Sequence, residues 1–416
     1  MGIRVFLRKL RTGSAAARRG VPASAIALCL AAVAWPSAAS DDLARDLGAA
    51  ARREVGADQG VHVETEDGTV LVSQAASRAV HPASVSKIPT TLALLRELGP
   101  THRFATRFVA AGPIAGGTVA GDLVAESEGD PFFVDENAIL VALALRERGV
   151  ERVAGGLRVS GPFLFDWRAE GAAAGLRRVL SGEAPEAAWS EVARLRLLSG
   201  PAPAIRFGAG GGGEGESRRV LVVHRSQPLV PLVKALNGFS NNIFHPFAGR
   251  VGGVAVVERI ARESVPLDQR DEIVLTNGAG AGATNRLSPR ATVSILRALV
   301  AELSRHGLGL ADVLPVSGVD AGTLRERLDG PGERGVVAGK TGTYGDYGAS
   351  ALAGAYRSRD RGLVYFAVLN RGVPVPVARG RQDAFVRALL GALPGEAWPY
   401  TPDESPAVAR ASISDE

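Results

Sequence analysis

His81-Pro-Ala-Ser-Val-Ser-Lys-Ile-Pro-Thr-Thr91 packs two serines and a lysine ahead of TTLALLREL (90–98), an apolar-periodic run that reads as a helix. The lysine is the unusual part. The chain has 48 Lys and Arg together, yet lysine occurs only at Lys9, Lys87, Lys234 and Lys340. Ser84 and Lys87 are i and i+3, so a helix puts both on one face within reach of each other, whereas Ser86 and Lys87 are adjacent and point apart. Ser84 is therefore the candidate nucleophile and Ser86 a bystander. A serine hydroxyl needs a neighbouring base. Lysine can serve if burial and a second positive charge depress its pKa; arginine, which does not deprotonate, cannot.

Taken alone, Ser-x-x-Lys marks many exposed helix turns. Two further motifs strengthen it. Lys340-Thr341-Gly342-Thr343 sits on an apolar strand, GVVAGKTGTYG (335–345), and Ser240-Asn241-Asn242 follows a helix. The three occur in the order found in active-site serine penicillin-binding proteins and β-lactamases. Gly339-Lys340-Thr341 could end a phosphate-binding loop, but that motif needs glycine at 334, where the chain has Arg334. Ser240-Asn241-Asn242 by itself reads as an ordinary helix end. Lys234, about 240° round a helix from Ser240, is expected to be a surface lysine laying its stem along apolar neighbours. The six histidines show no metal spacing, and no Gly-x-Ser-x-Gly is present, which argues against an α/β-hydrolase.

Outward from these motifs, VHVETEDGTVLV (61–72) is a hairpin about Asp67-Gly68. Short strands alternate with one clear helix, 136–148, between 99 and 166. Residues 167–206 are Ala/Arg-rich and partly helical; GAGGGGEGES (208–217) is a flexible link. RRVLVVHRS is a strand, Ser288-Pro289 starts a helix, and three antiparallel strands and a closing helix, 382–393, follow. The order implies an antiparallel sheet carrying helices at both chain ends, interrupted by an inserted module. The expected organisation is 1–40 signal peptide, 41–100 and 221–397 main domain, 101–220 insert, and 398–416 disordered tail.

Composition bounds the class. At 416 residues, 46% hydrophobic and 22% charged, the chain is globular and long enough for one large or two medium domains. Its first 19 residues carry six basic groups and no acidic one; an apolar run, 23–35, and small residues to Ser40 then give the layout of an export signal cut near Ala39 or Ser40. The run is too short for a membrane span. Loss of 1–40 takes the net charge from +5 to 5 − 6 = −1, so the basic balance belongs to the signal, and no basic stripe remains for nucleic acid. Cys29, the only cysteine, follows Leu28, which argues against a lipid anchor; the flanks of Arg18-Arg19 do not support twin-arginine export.

Beyond the triplet, HPASVSKIPTTLALLRELGPTHRFATR, GDLVAESEGDPFF, LRERGVERVAGGLRVSG, LNGFSNNIF, TNGAGAGATNRLSP, LPVSGVDAGTLRERL and VVAGKTGT appear in one order. In these blocks, over about 55–165 and 220–393, the chain resembles the class C low-molecular-mass penicillin-binding proteins, of D-alanyl-D-alanine carboxypeptidase/endopeptidase type. The resemblance implies an α/β (α+β) penicillin-binding-protein/β-lactamase-like fold: an antiparallel sheet flanked by helices, a helical subdomain and a smaller inserted α/β domain. It implies an acyl-enzyme on Ser84, Lys87 as base, Ser240 as proton relay, Asn242 bonded to Lys87 and the substrate amide, Lys340 as a cation that lowers the pKa of Lys87, and Thr341, Gly342 and Thr343 as substrate contacts. The protein is expected to be exported, periplasmic or extracytoplasmic, with peptidoglycan peptides ending in D-Ala-D-Ala and β-lactams as partners, no cofactor, no metal, no nucleic acid, and membrane contact only through an uncleaved signal. Three departures stand out. The stretch after Asp166 is short and matches poorly, Ala279 stands where the family has serine, and Pro89 falls early in the nucleophile helix. A β-lactamase shares the triplet but has a much shorter segment than the 240 − 84 = 156 residues here, and a non-catalytic wall-binding relative of the fold is the other alternative.

Overall fold

The computed structural model describes residues 38–195, 204–209, 217–239, 242–345, 348–402 and 411–414. The expected export signal up to residue 37 and most of the glycine-rich link lie outside the described residues, as does Ser240.

The main sheet is built from β1 (Gly60–Thr65) and β2 (Val70–Gln74), the hairpin about Asp67-Gly68, and three later strands. In the same sheet β7 (Val337–Tyr344), β8 (Ala349–Ser358) and β9 (Gly362–Asn370) run antiparallel, giving the spatial order β7-β8-β9-β1-β2. Side chains alternate across a strand, and β8 shows what each face buries. Ala351, Ala353 and Ala355 join a core with Ile88, Leu92, Leu296 and Leu299, while Leu352 and Tyr356 join another with Leu47, Phe385, Val386 and Leu389. The first face is covered by α2 (Lys87–Leu98) and α8 (Pro289–Ser304); the second by the helices from both chain ends, α1 (Ala38–Ala50) and α9 (Val375–Ala392). Ser288 caps α8 by accepting from the Ala291 amide at 3.1 Å, with Pro289 in the first turn, where its missing N–H costs nothing.

Between α2 and α6 (Leu229–Gly238) the chain builds a second sheet from β3 (Ala105–Ala111), β4 (Asp122–Ser127), β5 (Leu157–Ser160) and β6 (Arg218–Arg225). Helices α3 (Asp135–Glu147), α4 (Ala172–Leu180) and α5 (Glu186–Arg194) pack on it around a core of its own, with Phe108, Phe133, Leu145, Leu176 and Val192. Strand β6 stays in this sheet to Arg225, past the boundary expected at 220, because it pairs with β3 along its length. Within the tail expected to be disordered, 398–416, the described residues 398–402 and 411–414 make ordered contacts, and the rest lie outside the described residues. Tyr400 donates to Asp320 at 2.9 Å, and β10 (Ser412–Ser414) pairs with the free edge of β6. Three residues of Ser-Ile-Ser carry too little pattern to announce a strand; the open edge of β6 makes it one.

Lys234 corrects another expectation. It is not a surface lysine: its Nζ donates to Ala311 O (2.8 Å), Leu314 O (2.6 Å) and Asp320 Oδ2 (2.6 Å), over the Tyr400 ring. Burial pushes its pKa down even against the attraction of Asp320. Lys234→Met would leave Asp320 largely buried without its cation, and we expect a loss of about 2–4 kcal/mol in urea unfolding. An unchanged midpoint would refute the pairing.

Candidate active site

A single turn of 3-10 helix, Ala83–Ser86, leads directly into α2 at Lys87. This keeps the i, i+3 geometry. Pro89 sits in the first turn of α2, where its missing amide is not needed. Lys87 Nζ donates to Ser84 Oγ at 2.8 Å and to Ala279 O at 3.1 Å, and Ser84 Oγ donates weakly to the same carbonyl at 3.4 Å. The alanine at 279 therefore removes a side chain but keeps the acceptor that orients both groups. Ser86 is buried, and its hydroxyl bonds to neither group.

Lys87 is fully buried, 5.7 Å from the centre of the Phe244 ring, and burial lowers its pKa to about 7. Lys340, on β7, is fully buried too, with Nζ donating to Thr341 O at 3.0 Å; burial, then the charge of Lys87, hold its pKa well below the ordinary value. Burial and a second cation are both expected from the sequence to act on Lys87. Desolvation is the larger lever at both amines, and their mutual repulsion belongs to the pair. The pair carries fewer than two charges near neutral pH.

Close backbone approach brings β7 against the nucleophile turn. A Cβ at Gly342 would lie 2.6 Å from Pro82 O and 3.1 Å from Ala83 Cβ, so glycine is what lets the strand and the turn meet. Ala83 itself holds φ +49. Its amide donates to His81 Nδ1 at 3.2 Å, and His81 Nε2 donates to Gly282 O at 2.8 Å while the ring stacks on Tyr344. Burial lowers the His81 pKa, and these two bonds fix its neutral tautomer. His81 thus ties the turn, the 277–285 loop and β7 together, a role the sequence reading missed. Asn277 and Asn285 brace that loop: Asn277 Oδ1 accepts from Ala279 N at 2.9 Å, and Asn285 Oδ1 from Asn277 N at 3.1 Å.

A sequence model of the D-Ala-D-Ala carboxypeptidase 3 (S13) family matches residues 43–165 and 210–390. The chain belongs to this S13 family of serine peptidases. Among solved structures, the peptidoglycan endopeptidase Bd3459 of Bdellovibrio bacteriovorus is 21% identical, with TM-score 0.71 over 86% of this chain and 99% of that one. A penicillin G-acylated form of Bd3459, in complex with immunity protein Bd3460, is 23% identical at TM-score 0.71, covering 83% and 95%. Penicillin-binding protein 4 of Haemophilus influenzae, complexed with a β-lactam, is 17% identical at TM-score 0.60, covering 83% and 99%. The gap between the two matched segments of the S13 model, 166–209, contains α4 and α5 and covers most of the stretch read from sequence as poorly matching, 166 to about 220; the match resumes earlier, at 210.

The remaining expected site residues of this S13 chain divide in two. Thr341 is buried, its hydroxyl donating to Thr323 Oγ1 at 2.6 Å, and Thr343 is exposed at the end of β7, accepting from Arg379 at 2.9 Å. Asn242 is a correction: it is exposed and not hydrogen-bonded to Lys87, because it opens the turn into the short helix α7 (Phe244–Ala248), where its carbonyl accepts from His245 N. It lines a cavity of about 510 Å³ opposite Leu164 and Trp167 of the insert. Among the described residues no group of three or more His, Cys, Asp or Glu side chains could hold a metal ion, and no helix is long and apolar enough to cross a membrane.

Proposed function

We propose that this protein is an exported DD-peptidase that cleaves peptidoglycan stem peptides ending in D-Ala-D-Ala, or the equivalent cross-link, through an acyl-enzyme on Ser84. The observation that carries the reading is the 2.8 Å contact between the Ser84 hydroxyl and a buried amine held near neutrality. Neutral Lys87 takes the Ser84 proton as Oγ attacks the penultimate carbonyl. The Ser84 and Thr343 amides face the oxyanion. The C–N bond breaks, the departing amine takes the proton from Lys87 by way of Ser240, and water then hydrolyses the ester. Asn242, exposed on the rim of its cavity, is left to bind the substrate amide. Lys340 is too buried to touch solvent, so it acts through its potential while the Thr343 hydroxyl meets the substrate carboxylate.

A β-lactam presents a strained amide beside a carboxylate and acylates the same hydroxyl. Incubation with a fluorescent penicillin followed by peptide mapping is expected to place the adduct on the peptide containing Ser84. An adduct elsewhere, or none, refutes the reading.

A further inference from the structure

Beside β7 lies a cavity of about 600 Å³ with Thr323, Arg325 and Arg379 in its wall. Thr323 and Arg379 touch the proposed substrate strand directly, through Thr341 and Thr343. We propose that this cavity receives the leaving group and that Arg379 is its carboxylate contact, a specificity-determining residue; the proposal rests on the peptidase reading of Ser84.

The polar groups at this end of β7 leave that task to Arg379. Lys340 is fully buried and spends a hydrogen on Thr341 O. The Thr341 hydroxyl hydrogen is committed to Thr323. Thr343, by contrast, accepts from Arg379, which leaves its own O–H free to donate outward, and the guanidinium keeps its remaining donors beside it. A carboxylate arriving there meets one hydroxyl and one planar fork, the arrangement that guanidinium recognises best. The other charged groups in the wall are accounted for. Arg327 is held by Asp383 at 2.6 Å and Gln382 at 3.0 Å, Arg325 donates to Val319 O at 2.7 Å, and Glu326 is exposed. Arg379 is exposed on α9, with no carboxylate partner among the described residues, so its side chain can be changed without opening a core.

The test compares two synthetic stem peptides that differ only at the end, one a free D-Ala-D-Ala acid and the other its C-terminal amide. For wild type, kcat/KM favours the acid. Arg379→Gln is expected to lower kcat/KM on the acid by about 10–100-fold, as for loss of a charge-assisted hydrogen bond, while leaving the amide nearly unchanged, so that the preference collapses. Arg379→Lys, which keeps the charge and loses the fork, falls between. Equal losses on acid and amide would make Arg379 merely structural, and no loss on either would make it irrelevant; each overturns the assignment. If Arg379 fails while wild type remains active on the acid, the reading of Ser84 is untouched. Wild type inert toward both peptides would sink the peptidase reading and this inference with it.

Discussion

Replacing Lys87 by alanine or arginine slows acylation of Ser84 by about 10²–10⁴-fold, the usual worth of a positioned general base, while Ser84→Ala abolishes the covalent adduct. The arginine variant is the more telling. It keeps charge and approximate size but cannot give up a proton near neutrality, so it loses the function if Lys87 acts as a base and retains it if Lys87 only supplies positive potential. The pH profile carries the same message with a definite sign. The base must be unprotonated, and burial holds Lys87 at about 7. The rate of penicillin acylation in wild type should therefore fall about tenfold per unit below that pH and level off above it, with a midpoint belonging to the coupled Lys87–Lys340 pair. A stopped-flow profile flat from pH 5 to 9, or fast acylation of Lys87→Arg, would remove Lys87 from its role.

The second large effect comes from a residue with no side chain. Gly280 holds φ +84 in the loop over the nucleophile turn, and a Cβ there would fall 1.9 Å from Ala83 O, 2.4 Å from Ala83 C and 3.1 Å from Ser84 N. All three are backbone atoms, which cannot swing aside. Gly280→Ala must push the loop, and the Ala279 carbonyl with it, off Ser84 and Lys87. A displacement near 1 Å in such a site costs about 10²-fold in rate, and the overpacking with the left-handed strain costs about 2–4 kcal/mol. Gly282→Ala is the control. Its φ is +81, yet nothing lies within 4 Å of the added methyl. It should cost about 1 kcal/mol and leave acylation intact. Equal activity in the two variants would show that the contact with Ala83 does not position the nucleophile.

What could be read from the sequence depended on how local the signal was. Ser84 and Lys87 stood out because a three-residue spacing is itself a geometry, and Lys340 because lysine is so rare here that its place on an apolar strand needed a reason. The sheet and its end helices followed from period-two and helical patterns that tertiary packing respected. Lys234 was misread because its partner Asp320 lies 86 residues away and no local pattern joins them. Asn242 was assigned to Lys87 by motif, but the turn into the following helix directs it outward. His81 acts on backbone atoms of a distant loop, and Arg379 is one arginine among dozens on an ordinary helix; neither leaves a trace in spacing.

The short strand β10 has a mechanical consequence. The insert leaves the body after α2 and rejoins it before α6, and two attachments alone define an axis about which it could swing. Ser412–Ser414, coming from beyond the last helix of the body, lies on β6 and makes a third place where the chain meets the insert. Three footings make a tripod.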